Sequence, residues 1–102
     1  MQNDPVPSEF YLGQNYPNPF KERTTIKYCV PHRCRVVLTI QNLDGLVVKH
    51  LANDDKSAGT YEVVFEQAGL PAGVYYCRMK ANSFAATKEM LLISQNTRIQ
   101  GG

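Results

Sequence analysis

The chain has 102 residues, 43% hydrophobic and 20% charged, which is enough apolar material for one core but not for two. Eleven Lys and Arg against nine Asp and Glu give a formal net charge of +2, too small and too scattered to predict a nucleic-acid partner. The composition therefore excludes a two-domain enzyme, and the longest apolar run, Met90 to Ile93, is far too short to cross a bilayer.

The first nine residues have the composition of a linker or a flexible lead-in. They carry Asn, Asp, Ser and two Pro with little apolar content, so the folded domain is expected to start near Phe10. This N-terminus has neither the basic nor the apolar region of a secretory signal peptide. We expect either that the protein stays inside the cell or that the chain is a fragment of a longer protein.

From Phe10 onwards the apolar residues recur with period two, which predicts half-buried strands. The clearest runs are Ile26 to Val30, Val36 to Ile40 and Tyr61 to Phe65. Turn residues separate such runs at short spacing, over residues 31–34, 42–45, 53–59, 68–73 and 81–83. Asp44-Gly45 predicts a hairpin with a type I′ turn, in which both central residues have positive φ.

About seven short strands without a helical stripe predict an all-β, Ig-like antiparallel β-sandwich, with a small barrel as the alternative. Tyr75 lies two residues before Cys77, which is the placement of a tyrosine corner, although an aromatic core position is the other interpretation. Strand periodicity places Cys29 on the face opposite the core, so it should not pair with Cys77. The predicted core is Ile26, Tyr28, Val36, Leu38, Ile40, Val63, Phe65, Tyr75, Cys77, Met79 and Leu91 or Leu92.

Candidates for catalysis or metal binding are few. His32 and Cys34 share an exposed turn, but no orienting Asn or Asp follows, and Cys29, His32 and Cys34 supply three ligands where structural zinc takes four. Asn53 to Asp55 lacks the glycine and distal glutamate of a calcium loop, so a plain turn is predicted there. The sequence thus predicts no catalytic, metal or cofactor site and no small-molecule substrate.

Two motifs carry a resemblance to a known family. Asn-Tyr-Pro-Asn-Pro-Phe lies at residues 15–20, and Leu-Pro-Ala-Gly-Val-Tyr lies at residues 70–75. In this order they resemble the type A C-terminal sorting domains of the type IX secretion system, and the resemblance extends over residues 10–93. The chain departs from the family at Gln41-Asn42 and in its three cysteines. Residues 94–102 run past the expected end and are either a native extension or an expression artefact.

The resemblance implies a seven-stranded Ig-like domain that serves as an address label, a substrate of export and not an enzyme. The cargo would cross the inner membrane by a separate signal, fold in the periplasm and pass the outer-membrane translocon with its shuttle components. A cell-surface sortase-like protease would then remove the tail, leaving the cargo secreted or at the cell surface. On this interpretation the absence of a signal peptide is expected.

The sorting-signal candidates are the residues of both motifs and of the last predicted strand, Phe84 to Ile93, whose exposed edge would suit recognition by strand addition. They are Asn15, Tyr16, Pro17, Asn18, Pro19, Phe20, Leu70, Pro71, Gly73, Tyr75, Lys88, Glu89, Leu91, Leu92 and Ile93. The alternative function is a passive Ig-like spacer or adhesion module of a multidomain surface protein. A carbohydrate-binding accessory domain ranks third, because the chain has no Trp for an aromatic platform.

Overall fold

The computed structural model describes residues 6–94 of the chain. This part folds entirely into strands and connections, which confirms the all-β prediction: β1 (Tyr11–Leu12), β2 (Arg23–Val30), β3 (Cys34–Gln41), β4 (Val47–Lys56), β5 (Gly59–Glu66), β6 (Gly73–Ala81) and β7 (Phe84–Leu92). Within the described range there is no helix of the length and apolarity that spanning a membrane requires. The linker predicted at residues 1–9 and the extension at 94–102 lie largely outside the described residues.

The seven strands form two sheets, one in the order β1-β2-β5 and the other in the order β4-β3-β6-β7. Every paired strand is antiparallel to its neighbour. Pairing of β2 with β5, and of β3 and β7 with β6, is the arrangement of an Ig sandwich, in which the fourth strand here joins the second sheet. The predicted Ig-like antiparallel sandwich is confirmed.

The core forms where the period-two runs turn one face inward. Val36, Leu38 and Ile40 of β3 have no exposed surface at all, and burial of each such side chain stabilises the fold by about 1.5–3 kcal/mol. The predicted core residues are buried except Val63, which is only partly covered and packs against the core. Of the two alternatives in β7, Leu92 is buried and Leu91 is 39% exposed. The core also contains Leu12, Phe20, Val30, Ala81 and Met90.

The hairpin between β3 and β4 forms as predicted, but its turn is of a different type. The Gly45 N–H donates to the Asn42 carbonyl at 2.9 Å, so the central residues are Leu43 and Asp44, and of the predicted central pair Asp44-Gly45 only Gly45 has a positive φ, at 85°. The prediction of a type I′ turn is therefore wrong. The Asn42 side-chain oxygen accepts from the N–H of Asp44 at 2.9 Å and of Leu46 at 3.0 Å, so a right-handed turn followed by a left-handed glycine satisfies the backbone.

The predicted turn over residues 53–59 is also wrong for its first four residues, because β4 continues through Lys56. Asn53, Asp54, Asp55 and Lys56 pair with the first half of β3. Arg35 Nη2 donates to Asn53 Oδ1 at 2.9 Å across this pair. Long-range pairing here outweighs a turn-forming composition, and an edge strand tolerates charged residues that discourage further pairing.

Candidate functional site at the last strand

Residues 15–20, the first signature, begin with a buried hydrogen-bond network around Asn15. The Asn15 Nδ2 donates to the Pro17 carbonyl at 3.1 Å and to Thr24 Oγ1 at 3.0 Å. The Thr24 hydroxyl donates to the same carbonyl at 2.7 Å, and Gln14 Nε2 donates to Asn15 Oδ1 at 2.8 Å. Asn15 is only 3% exposed, so these bonds satisfy polar atoms that water does not reach.

The second half of this signature lies along the outer edge of β7. The Phe20 N–H donates to the Leu91 carbonyl at 3.0 Å, and the Ile93 N–H donates to the Phe20 carbonyl at 2.9 Å, which makes a parallel bridge between Phe20 and Leu92. The Asn18 Oδ1 accepts from the Leu91 N–H at 2.9 Å. Gln14 Nε2 donates to the Glu89 carbonyl at 2.7 Å. Backbone groups from Glu89 to Ile93 that would otherwise face solvent are thus occupied.

The Phe20 side chain anchors this contact in the core. It is 1% exposed and meets the ring of Phe65 edge to face, with the ring centroids 6.0 Å apart. The peptide bonds preceding Pro17 and Pro19 are both cis. The segment passes from the edge of β2, where Tyr16 exchanges two backbone hydrogen bonds with Thr25, to the edge of β7. It therefore covers one edge of each sheet.

Residues 70–75, the second signature, flank the same strand from its other side. Gly73, Val74 and Tyr75 open β6 and pair with Leu92, Leu91 and Met90 of β7. Gly73 has φ of 147°, a conformation that residues with a side chain rarely adopt. Leu70 packs partly on the core and lines a shallow cavity of about 240 Å³ together with Leu92 and Ile93.

Tyr75 confirms the predicted tyrosine corner. Its hydroxyl donates to the Pro71 carbonyl at 2.6 Å, four residues earlier, while its ring lies in the core. Burial raises the pKa of this phenol, so it stays a neutral donor. The hydrogen bond ties the second signature to the strand that it opens.

Both signatures therefore meet at the end of β7, and we call residues 15–20, 70–75 and 88–93 together the junction. Its exposed side chains are Tyr16, at 81%, and Leu91, at 39%, with Pro17, Asn18, Pro19, Pro71, Ala72 and Glu89 also exposed. Lys88 is half-buried and pairs with Cys77, whereas Ile93 is half-buried beside Phe20. Sequence reasoning missed Gln14 and Thr24, whose contacts with the signature carry no periodic pattern.

The residues weighed above for catalysis or metal binding do not form a common cluster within residues 6–94. His32 Nδ1 lies 3.4 Å from the Arg33 carbonyl oxygen, and its ring meets Phe10 edge to face. All three cysteines are free, and Cys29 Sγ contacts Thr60 Oγ1 at 3.5 Å. Burial raises the pKa of Cys77 to about 12. Residues 6–94 contain no cluster of three His, Cys, Asp or Glu placed to hold a metal ion.

The fold and the junction define a small Ig-like domain in which two sequence signatures are built around one terminal strand. The chain belongs to the secretion system C-terminal sorting domain family, whose profile matches residues 14–94. The domain is thus a C-terminal sorting signal for type IX secretion, which the type IX machinery recognises and which directs its cargo to the cell surface or beyond. The curated proteins and the solved structures compared with the chain contain no match.

Proposed function

We propose that the junction is the part of the domain that the export machinery reads, and that the domain acts as a substrate and not as an enzyme. One observation carries this proposal: both signatures contact the last strand, one along its outer edge and one along its inner edge. Buried members such as Asn15, Phe20 and Tyr75 hold the strand in place. Exposed members such as Tyr16 and Leu91 remain accessible to a receptor.

We propose the route and the partners that the resemblance to the family implies. The cargo crosses the inner membrane by its own signal and folds in the periplasm, and shuttle components and the outer-membrane translocon then act on the domain. A sortase-like protease at the cell surface removes it afterwards. The description of the family as a sorting domain supports the role of a substrate that the export machinery recognises.

Export of a fusion protein tests the proposal. Residues 1–102 are placed behind a signal peptide and a passenger in a host with the type IX machinery, and the passenger should appear outside the outer membrane. If the passenger stays in the periplasm while an established sorting tail exports it in the same host, the proposal is wrong. A spacer or adhesion role would then explain the fold.

Point variants separate recognition from folding. Leu91→Ser changes an exposed side chain at the junction, and Leu46→Ser changes a leucine that is 64% exposed at the β3–β4 hairpin. Both should leave the melting temperature nearly unchanged, since exposed substitutions usually alter stability by less than about 0.5 kcal/mol. We expect L91S to reduce export and L46S to leave it intact. Equal export of both variants would show that the junction is not read through Leu91.

Lys88→Ala and Glu89→Ala test the charged part of the junction. Neither side chain forms a salt bridge within the described residues, so their removal should cost little stability. Loss of export at an unchanged melting temperature would assign these charges to direct recognition. Loss of export together with a lower melting temperature would instead assign them to the fold.

A further inference from the structure

The outer edge of β5 carries backbone N–H and C=O groups that have no strand partner within residues 6–94. This edge is the side of the first sheet opposite the first signature. On the edge of β2 that faces away from β5, the backbone groups of the odd-numbered residues are already bonded. The Gly13 N–H donates to the Lys27 carbonyl at 2.8 Å, and Tyr16 exchanges two backbone hydrogen bonds with Thr25. Peptide groups alternate in direction along a strand, so the even-numbered residues of β2 bond β5. Their partners are the odd-numbered residues 59–65. The N–H and C=O groups of Thr60, Glu62, Val64 and Glu66 therefore point outward.

No other sheet edge in the described part of the chain is both regularly paired and open along its whole length. β4 is an edge strand with two register shifts against β3 and with charged residues along its length, features that discourage strand addition. The outer edge of β7 is occupied from Glu89 onwards by the first signature, which leaves only residues 85–87 open. β5 keeps an unbroken register with β2 over all eight of its residues.

An open groove of about 380 Å³ lies beside this edge, between β5 and β4. Val48, Val64, Phe65 and Leu70 supply its apolar part, and Lys49 and Glu66 also line it. An added strand would direct every second side chain toward the open side of the sandwich, where Val63 is only partly buried. One apolar side chain from such a strand would enter the groove and complete the cover of the core.

The carboxylates of β5 favour a partner strand that carries basic residues. Glu62 and Glu66 lie on the exposed outer face, where residues of an added strand would stand directly opposite them. The Arg23 Nε lies 3.7 Å from Glu66, and because both side chains are about two-thirds exposed this pair is weak. Lys27 stands opposite Glu62 on the β2 side, but β5 itself carries no basic residue, so basic residues on a strand added at its outer edge are favoured opposite both carboxylates. A second copy of this chain would bring four carboxylates onto one face, which disfavours self-pairing.

We propose that β5 is a docking edge for an extended segment of another protein, one that alternates apolar with basic residues and adds antiparallel to β5. The backbone of the segment pairs with Thr60 to Glu66, its apolar side chains face the groove, and its basic side chains face Glu62 and Glu66. This inference concerns the edge of the first sheet opposite the first signature, where Leu70 alone belongs both to the groove and to the junction, and it stands independently of which residues the export machinery reads.

A synthetic nine-residue peptide with capped ends, alternating lysine and valine, is the probe for hydrogen exchange on the isotopically labelled full chain. We expect slower amide exchange at Thr60, Glu62, Val64 and Glu66 when the peptide is present. A peptide of the same sequence with N-methylated lysines keeps its charge and side chains but lacks the donors that face β5. It should not protect these four amides.

Two proline variants form a matched pair. Val64→Pro removes an outward N–H of β5 and Thr87→Pro removes an outward N–H of β7, and neither removes a backbone hydrogen bond to a neighbouring strand. T87P also loses the exposed side-chain contact of Arg78 with Thr87 at 3.5 Å. V64P should weaken peptide binding about tenfold, as expected for one lost hydrogen bond, and T87P should leave it unchanged. Glu62→Lys should weaken binding through like-charge repulsion without removing a backbone donor.

Absence of protection at millimolar peptide would overturn the proposal, as would protection confined to residues 85–87. Equal binding of the N-methylated peptide would show an electrostatic attraction without strand addition, which also contradicts it. Concentration-dependent protection of β5 in the absence of peptide, together with a dimer in sedimentation, would assign the edge to a second copy. Because the export assay uses L91S and this one uses V64P, failure of either leaves the other proposal standing.

Discussion

The substitution Asn15→Asp tests the network that holds the first signature, because it changes the hydrogen-bonding character of a buried side chain without changing its size. The amide donates to the Pro17 carbonyl at 3.1 Å and to Thr24 Oγ1 at 3.0 Å. An ionised carboxylate has no donor. The Thr24 hydroxyl can then donate to the carboxylate or to the Pro17 carbonyl, but not to both. One of these two buried oxygens is therefore left without a donor.

The expected loss is about 1–3 kcal/mol at pH 7 for the group left without a partner. Each kcal/mol lowers the melting temperature of a domain of this size by about 4–8 °C. Burial and the facing oxygens should raise the pKa of the introduced carboxyl in the folded state. The stability that the protonated carboxyl of Asp at position 15 supports is therefore fully present below the pKa of about 3.9 that it has in the unfolded chain. That stability is lost as the pH rises through its higher pKa in the folded protein. N15D should therefore approach the wild type at acid pH and fall below it at neutral pH.

Asn53→Asp provides the control. The Asn53 side chain is exposed and uses only its oxygen, which accepts from Arg35 at 2.9 Å, so a carboxylate there keeps the contact. Urea unfolding of the wild type, N15D and N53D at pH 3.5 and pH 7 compares the three. A stability difference for N15D that does not change with pH, or one as small as that of N53D, would refute the assigned network.

Three further predictions address the core and the corner. Leu38→Ala should destabilise the domain by about 2–5 kcal/mol, because it removes a fully buried side chain of the central strand; an unchanged urea midpoint would contradict the strand register. Tyr75→Phe should cost about 0.5–1.5 kcal/mol through loss of its 2.6 Å hydrogen bond, measurable by the same unfolding curves. In the native protein at pH 8, a thiol reagent should label Cys29 and Cys34 but not Cys77, whose burial raises its pKa to about 12, and denaturation should expose the third thiol.

Local pattern was enough to predict most of the sandwich. Strand alternation identified β2, β3 and β5 with the correct face inward, because a strand that packs on one side must alternate. The tyrosine corner could also be predicted from the sequence, because the Tyr75 hydroxyl and the Pro71 carbonyl that accepts its hydrogen bond lie only four residues apart. Turn composition misled where longer-range pairing decided the conformation, as in Asn53 to Lys56.

The junction was predictable in its residues but not in its geometry. The signatures were identified by resemblance, and nothing in residues 15–20 shows a strand period that would pair them with β7. The contacts of Gln14 and Asn18 with that strand span 75 and 73 residues of sequence. Which of the two leucines in β7 is buried follows from the alternation of the strand, since Leu92 lies on the same face as the buried Met90.

The parallel bridge has a mechanical consequence. The segment ending at Phe20 and the end of β7 at Leu92 run side by side in the same direction. A pull on the chain before Gln14 and after Ile93 would load the bonds of Phe20 with Leu91 and Ile93 in shear. Bonds loaded in shear share the force and break together, whereas bonds at a hairpin end break one after another. The domain should therefore resist tension applied between its two ends better than tension applied across a single sheet.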